Sequence, residues 1–211
     1  MIPTKIKLCG MTRPADIEAA NELMPDYIGF VFAPKSKRHV TAAQAKELKA
    51  LLAPSIKAVG VFVNESPSVI VQLAKGGILD AVQLHGNEDA SYIADLRNHL
   101  DIPILQAFRI RTAEDAGIAQ GSTADSVLLD AGAGTGTVFD WSLIASVAHP
   151  YFLAGGLTPE NVADAILALH PHGVDVSSGI ETDGRKDKKK MAAFVAAVRN
   201  VYLGKETRND T

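Results

Sequence analysis

The stretch YFLAGGLTPENVADAILAL, residues 151–169, reads as one complete unit of strand, turn and helix. Residues 151–154 form a short apolar run of the kind buried in a parallel sheet, and Gly155 and Gly156 follow as turn residues. Thr158-Pro159-Glu160 then precedes NVADAILAL as a helix start signal. Threonine suits the N-cap, and proline suits the first helical position because the amide hydrogen it lacks would be unpaired there anyway.

The same unit recurs along the chain. Short runs rich in Val, Ile, Leu and Phe stand at residues 5–9, 27–32, 58–63, 81–84, 104–108, 126–130, 151–154 and 174–177. Further helix starts lie between them, at Thr12-Arg13-Pro14, Thr41 and Ser66-Pro67. About eight strand–helix repeats in 211 residues is the size of a (β/α)8 TIM barrel. A doubly wound open sheet is the competing α/β fold, but no G-x-G-x-x-G follows the first run, which weakens its dinucleotide-binding form. Residues 1–211 are expected to make a single barrel domain with a short flexible C-terminal tail from about residue 203.

Composition narrows the function classes. At 47% hydrophobic and 21% charged, with a formal net charge of −3, the chain can bury a substantial core and is neither disordered nor supercharged. Its single cysteine cannot form an intrachain disulfide, and no basic segment followed by an apolar one opens the sequence, so the cytoplasm is the expected location. No apolar run approaches the roughly 20 residues of a membrane helix. Basic residues are scattered among acids, so neither a membrane nor a nucleic acid is an expected partner.

A barrel gives each strand exit a meaning, because the site is built at the carboxyl ends of the strands. Cys9, in KIKLCGMT, ends the first run; by itself a cysteine there reads as a small buried hydrophobe. Asp130 ends the sixth run, in SVLLDAGAGTGTVFDW, where it is either a turn residue or a carboxyl whose pKa a half-apolar mouth raises to suit a general acid. Across such a mouth a thiol and a carboxyl face each other. Gly155 and Gly156 after the seventh run, with Ser178 and Gly179 after the eighth, let backbone amides approach an anion, and loops seven and eight of such barrels often hold phosphate. Arg38, in FAPKSKRHV, can grip a carboxylate with two parallel hydrogen bonds. His85 closes the fourth run and is either a mouth residue or a structural hydrogen-bonder, and Asp175 is placed to orient loop amides. DGRKDKKK, residues 183–190, reads as the start of a solvated final helix and KETRNDT as a frayed tail, neither assigned to chemistry.

The set KLCGMT, GFVFAPKSKRHV, VGVFVN, VQLHG, LLDAGAGTGTVFDW, LAGGLTPENV and VDVSSGIE, in order from about residue 5 to 201, closely resembles the phosphoribosylanthranilate isomerase family. The resemblance implies a (β/α)8 barrel that rearranges the small-molecule substrate N-(5-phosphoribosyl)anthranilate in tryptophan biosynthesis. It matches Cys9 to the general base, Asp130 to the general acid, Arg38 to the arginine on the anthranilate carboxylate, and Gly155, Gly156, Ser178 and Gly179 to the phosphate loops. A protonated imine is itself an electron sink, so no metal or organic cofactor is expected, in keeping with the lack of a Cys/His ligand cluster. A nearby positive imine or strand-end amides should lower the thiol pKa, while the acid stays protonated. The loop AGAGTGTV after Asp130 is slightly shorter than a frequent family form. Two alternatives stay open: a related aldose–ketose isomerase of histidine biosynthesis, expected to carry aspartate where Cys9 stands, and a non-catalytic phosphate-binding barrel. Monomer and homodimer are both compatible with the sequence.

Overall fold

The computed structural model of the chain describes residues 3–130, 132, 141–145 and 147–206. Strands β1 (Lys5–Cys9), β2 (Tyr27–Val31), β3 (Lys57–Phe62), β4 (Ala81–Leu84), β5 (Ile104–Arg109), β6 (Ser126–Asp130), β7 (Tyr151–Ala154) and β8 (Gly173–Val176) pair in parallel in chain order. β8 returns to β1 with Asp175 opposite Lys7, closing the barrel. The (β/α)8 expectation holds, and the open sheet is excluded.

Helices α1 (Pro14–Leu23), α2 (Ala42–Leu51), α3 (Pro67–Lys75), α4 (Ala90–Arg97), α5 (Ala113–Gln120), α6 (Val162–Leu169) and α7 (Lys188–Glu206) surround it. Among the described residues none is long and apolar enough to cross a membrane. Thr41 caps α2 reciprocally: its Oγ1 accepts from Gln44 N–H at 3.2 Å, and its own N–H donates to Gln44 Oε1 at 2.9 Å.

Each strand serves two cores because alternate side chains face opposite sides. In KIKLC, Ile6 and Leu8 join the cluster beneath the helices, whereas Cys9 packs inside the barrel with Val31 and Val61. In SVLLD, Val127 and Leu129 face outward while Leu128 packs with Leu105 and Phe152. This alternation is what points Cys9 and Asp130 inward at the exits of their strands.

The structure departs from the expected pattern at several places. In the sixth unit, for which the sequence offered no helix start, the described residues hold only a single 3-10 turn, Trp141–Leu143. α1 is capped by Arg13 rather than Thr12, with both amides donating to the buried Asp16 carboxylate. α6 begins at Val162, not at Pro159, because Asn161 ties back the preceding turn: its Oδ1 accepts from Thr158 N–H at 2.8 Å and its Nδ2 donates to Gly156 O at 3.0 Å. Residues 183–190 do not simply open the last helix. Glu181–Thr182 (β9) and Arg185–Lys186 (β10) form an antiparallel hairpin joined by Asp183 and Gly184, at φ 51° and 73°. The pairing of two positive φ angles is what a tight two-residue hairpin loop requires. Helix α7 continues to Glu206, past the expected start of the tail, and residues 207–211 lie outside the described residues. So does the loop AGAGTGTV after Asp130, apart from Gly132.

Candidate active site

The carboxyl ends of the strands open into a cavity of about 420 Å³. All of the expected site residues line it except Gly179: Cys9, Arg38, His85, Asp130, Gly155, Gly156, Asp175 and Ser178. Residues far apart in sequence meet here because parallel strands deliver all their exits to one face.

Cys9 is 7% exposed. Its register partner across β2 is Gly29, where a Cβ would stand 2.6 Å from the sulfur, so the glycine makes the space the thiol occupies. Gly10 follows at φ 83°, a conformation that favours glycine, and a Cβ there would lie 2.5 Å from Arg38 Cδ. The turn out of β1 is therefore also the floor over which Arg38 passes. Burial pushes the Cys9 thiol above its ordinary pKa, while the charges of Lys7 and Lys186 pull the other way. Without substrate, desolvation outweighs the cations, and the protein groups that favour thiolate are two lysines rather than strand-end amides.

Asp175 does not orient loop amides as expected. Its Oδ1 accepts from Lys7 Nζ at 2.7 Å, and Lys7, 1% exposed, lies inside the barrel two residues before Cys9. Burial disfavours the Lys7 ammonium, but Asp175 and Cys9 outweigh it, and the pKa of Lys7 is raised. Opposite, the Asp130 Oδ1 accepts from Gly132 N–H at 2.9 Å. His85 shares a 2.8 Å hydrogen bond between its Nδ1 and Gln83 Nε2. Its ring is open to the solvent of the mouth, yet the surrounding walls desolvate its charged form and lower its pKa. A neutral ring fits Nδ1 as the acceptor.

Arg38 is held rather than free. Its Nε donates to Glu181 Oε1 at 2.6 Å and its Nη2 to Glu181 Oε2 at 2.7 Å. A guanidinium carries five N–H groups, so the Nη1 edge remains for a ligand. Lys186 donates to Glu181 Oε1 at 2.6 Å, and the two cations outweigh burial to hold the Glu181 carboxyl down to about 2. Burial conversely lowers the pKa of Lys186. Lys7, Glu181 and Lys186 were not singled out in the sequence; only the Asp183-Gly184 pair between two short flanks hinted at the hairpin that carries the latter two.

The loops after β7 and β8 complete the wall. Gly155 and Gly156 adopt φ angles of 90° and 66°, both in the region that favours glycine. Gly179 lies behind the wall: a Cβ there would be 1.9 Å from Leu157 O, so this glycine is where one loop packs on the other.

The family model described as N-(5'phosphoribosyl)anthranilate (PRA) isomerase matches residues 6–197. The chain is 43% identical over 204 residues to the N-(5'-phosphoribosyl)anthranilate isomerase of Thermoanaerobacter sp. (strain X514), covering 93% of this chain and 98% of that one. The crystal structure of phosphoribosyl anthranilate isomerase from Thermotoga maritima matches the fold with a TM-score of 0.87 at 36% identity, over 93% of this chain and 99% of that one. A crystal structure of such an isomerase in complex with reduced 1-(o-carboxyphenylamino)-1-deoxyribulose 5-phosphate matches with a TM-score of 0.84, again at 36% identity and with coverage of 93% and 99%. A match that spans nearly every strand, and that sequence and fold share, leaves one assignment: the chain belongs to the N-(5'-phosphoribosyl)anthranilate isomerase family.

Proposed function

We propose that this cavity rearranges N-(5-phosphoribosyl)anthranilate to 1-(2-carboxyphenylamino)-1-deoxyribulose 5-phosphate, the family's step in tryptophan biosynthesis, with Cys9 as general base and Asp130 as general acid. The support is one cavity lined at once by a strand-end thiol, a strand-end carboxyl, an arginine and two glycine-bearing loops.

Asp130 gives a proton to the furanose ring oxygen, the bond from that oxygen to C1 breaks, and the anilino nitrogen's lone pair forms a protonated imine. The Cys9 thiolate takes the proton from C2, and the electrons of that bond neutralise the imine as an enolamine. Protonation at C1 and loss of the proton on the C2 oxygen yield the ketose. Atoms and electrons balance without a cofactor. The positive imine near the sulfur offsets the burial that disfavours thiolate, so the thiolate form is most populated when the intermediate is present.

Binding both ends of the substrate sets C2 between acid and base. The Nη1 edge of Arg38 takes the anthranilate carboxylate. Amides of the loops at Gly155, Gly156 and Ser178 take the phosphate, with Gly179 holding the two loops together. His85 and Asp175 line the remaining wall, Asp175 acting through Lys7. The chain works as one barrel domain, as monomer or homodimer, in the cytoplasm.

The test is turnover of N-(5-phosphoribosyl)anthranilate by the purified chain. Cys9→Ala and Asp130→Asn should each lower kcat by about 10²- to 10⁴-fold, while the product still binds. Near-full activity of Cys9→Ala would remove the thiol from its role as base.

A further inference from the structure

The β9–β10 hairpin holds an ion cluster whose members neither give nor take a proton in the rearrangement. Lys186, its side chain 2% exposed, donates to Ser177 O at 2.9 Å, to Ser177 Oγ at 3.3 Å and to Glu181 Oε1 at 2.6 Å. An ammonium has three donors, so all are spent. Glu181, its side chain 8% exposed, carries the connection onward through both oxygens to Arg38, in the loop after β2. Ser177 carries it the other way, its Oγ donating to Cys9 O at 3.2 Å. One buried ammonium therefore joins the arginine, the loop after β8 and the end of β1.

Such a cluster is weak evidence for stability, since buried ion pairs can often be replaced by apolar residues without loss. Its distinctive property is geometric. An arginine side chain has many rotamers, and Glu181 is itself long and flexible; a carboxylate pinned by Lys186 leaves the guanidinium one orientation. The same nitrogen fixes the backbone from which Ser178 continues. We propose that Lys186 is a positioning residue that sets the span between the carboxylate grip at Arg38 and the phosphate loop at Ser177 and Ser178. The proposal rests on the reading of Arg38 and that loop given above.

A spacer has a signature that a general structural role lacks. Each half of the substrate can find its own subsite even when the span is wrong, but the whole substrate cannot satisfy both ends together. The experiment compares wild type with Lys186→Met, reading KM and kcat for N-(5-phosphoribosyl)anthranilate and inhibition constants for anthranilate and inorganic phosphate separately. The expected result is a KM raised about tenfold or more, with each half-ligand's inhibition constant changed by less than about threefold. In an Arg38→Ala background the same substitution should add little to KM, because the grip it positions is gone. Glu181→Gln keeps the shape while loosening the fork and should give the same split, so the test survives if Lys186→Met fails to fold. An unchanged KM in folded Lys186→Met overturns the proposal. So does a parallel loss of all three affinities, which would mark a collapse of the wall. If Arg38→Ala alone leaves KM unchanged, the failure lies earlier, in the assignment of Arg38 to the carboxylate.

Discussion

At Cys9 opposing effects meet: burial, and to a lesser degree Asp175, disfavour the thiolate, and the Lys7 ammonium, followed by Lys186, favours it. Lys7 is not free to leave, since it is buried within the barrel and anchored to Asp175 at 2.7 Å. Removing the charge while keeping the length, in Lys7→Met, should therefore raise the thiol pKa further. An opposite charge this close is worth about one to three pKa units. Because Cys9 is the only cysteine, its alkylation by iodoacetamide reports the thiolate directly and needs no turnover. At pH 8 the variant should react about tenfold more slowly or worse. The acid limb of kcat/KM should also move to higher pH, and an unchanged alkylation rate would remove Lys7 from control of the base. Cys9 and Asp130 were legible in the sequence because each ends an apolar run, and a strand exit has a fixed meaning once the barrel is recognised. Lys7 was not, because a lysine inside KIKLC looks like a strand residue facing water. Its partner lies 168 residues away and arrives only when β8 closes on β1.

Among the elements, the loops after β7 and β8 behave as one piece of wall. Asn161 braces the first from beneath, through Gly156 O, and Gly179 seats the second against Leu157 O. A methyl group at residue 179 would meet backbone 1.9 Å away, so the loops must part. Gly179→Ala should therefore cost about 1–3 kcal/mol, measured by urea unfolding, and weaken competitive inhibition by inorganic phosphate. Inhibition by anthranilate, which sits at the Arg38 end, should change much less. Equal weakening of both would contradict the division of the mouth into two ends. The glycine pair was readable from sequence because it falls between a strand and a helix. The exact start of α6 was not, since Asn161 competes with Thr158-Pro159 for the cap by binding backbone on both sides of the turn. The hairpin was hidden for a related reason: Asp183-Gly184 is a strong turn pair, but charged flanks lack the alternating apolar residues that mark a hairpin. Its pairing is instead secured by tertiary contacts, Lys190 to Glu181 O and Thr182 to Asp187.

At the scale of the whole molecule the barrel was legible because apolar runs and helix starts alternate along the entire chain, whereas the ties that cross it are not periodic and leave no local trace. One of those ties contributes to how the fold responds to acid. Glu181 is held at about 2 against an ordinary 4.5 by Arg38 and Lys186, although burial opposes them. A carboxyl with a depressed folded pKa contributes stability that is complete above its unfolded pKa and is lost as pH falls through the folded one. The relevant window runs from about pH 4.5 down to about pH 2. Glu181→Gln removes this contribution at every pH and leaves the buried Lys186 without its counter-charge, so it should cost about 3 kcal/mol at pH 7. In the wild type, acid converts Glu181 to a neutral carboxyl that resembles the glutamine. Urea unfolding of both proteins from pH 7 to pH 2 should therefore show a stability gap that is constant down to about pH 4.5 and narrows below it. A gap that keeps its full size to pH 2 would mean that Glu181 is held by shape rather than by charge, and that the acid sensitivity of the fold lies in other carboxylates.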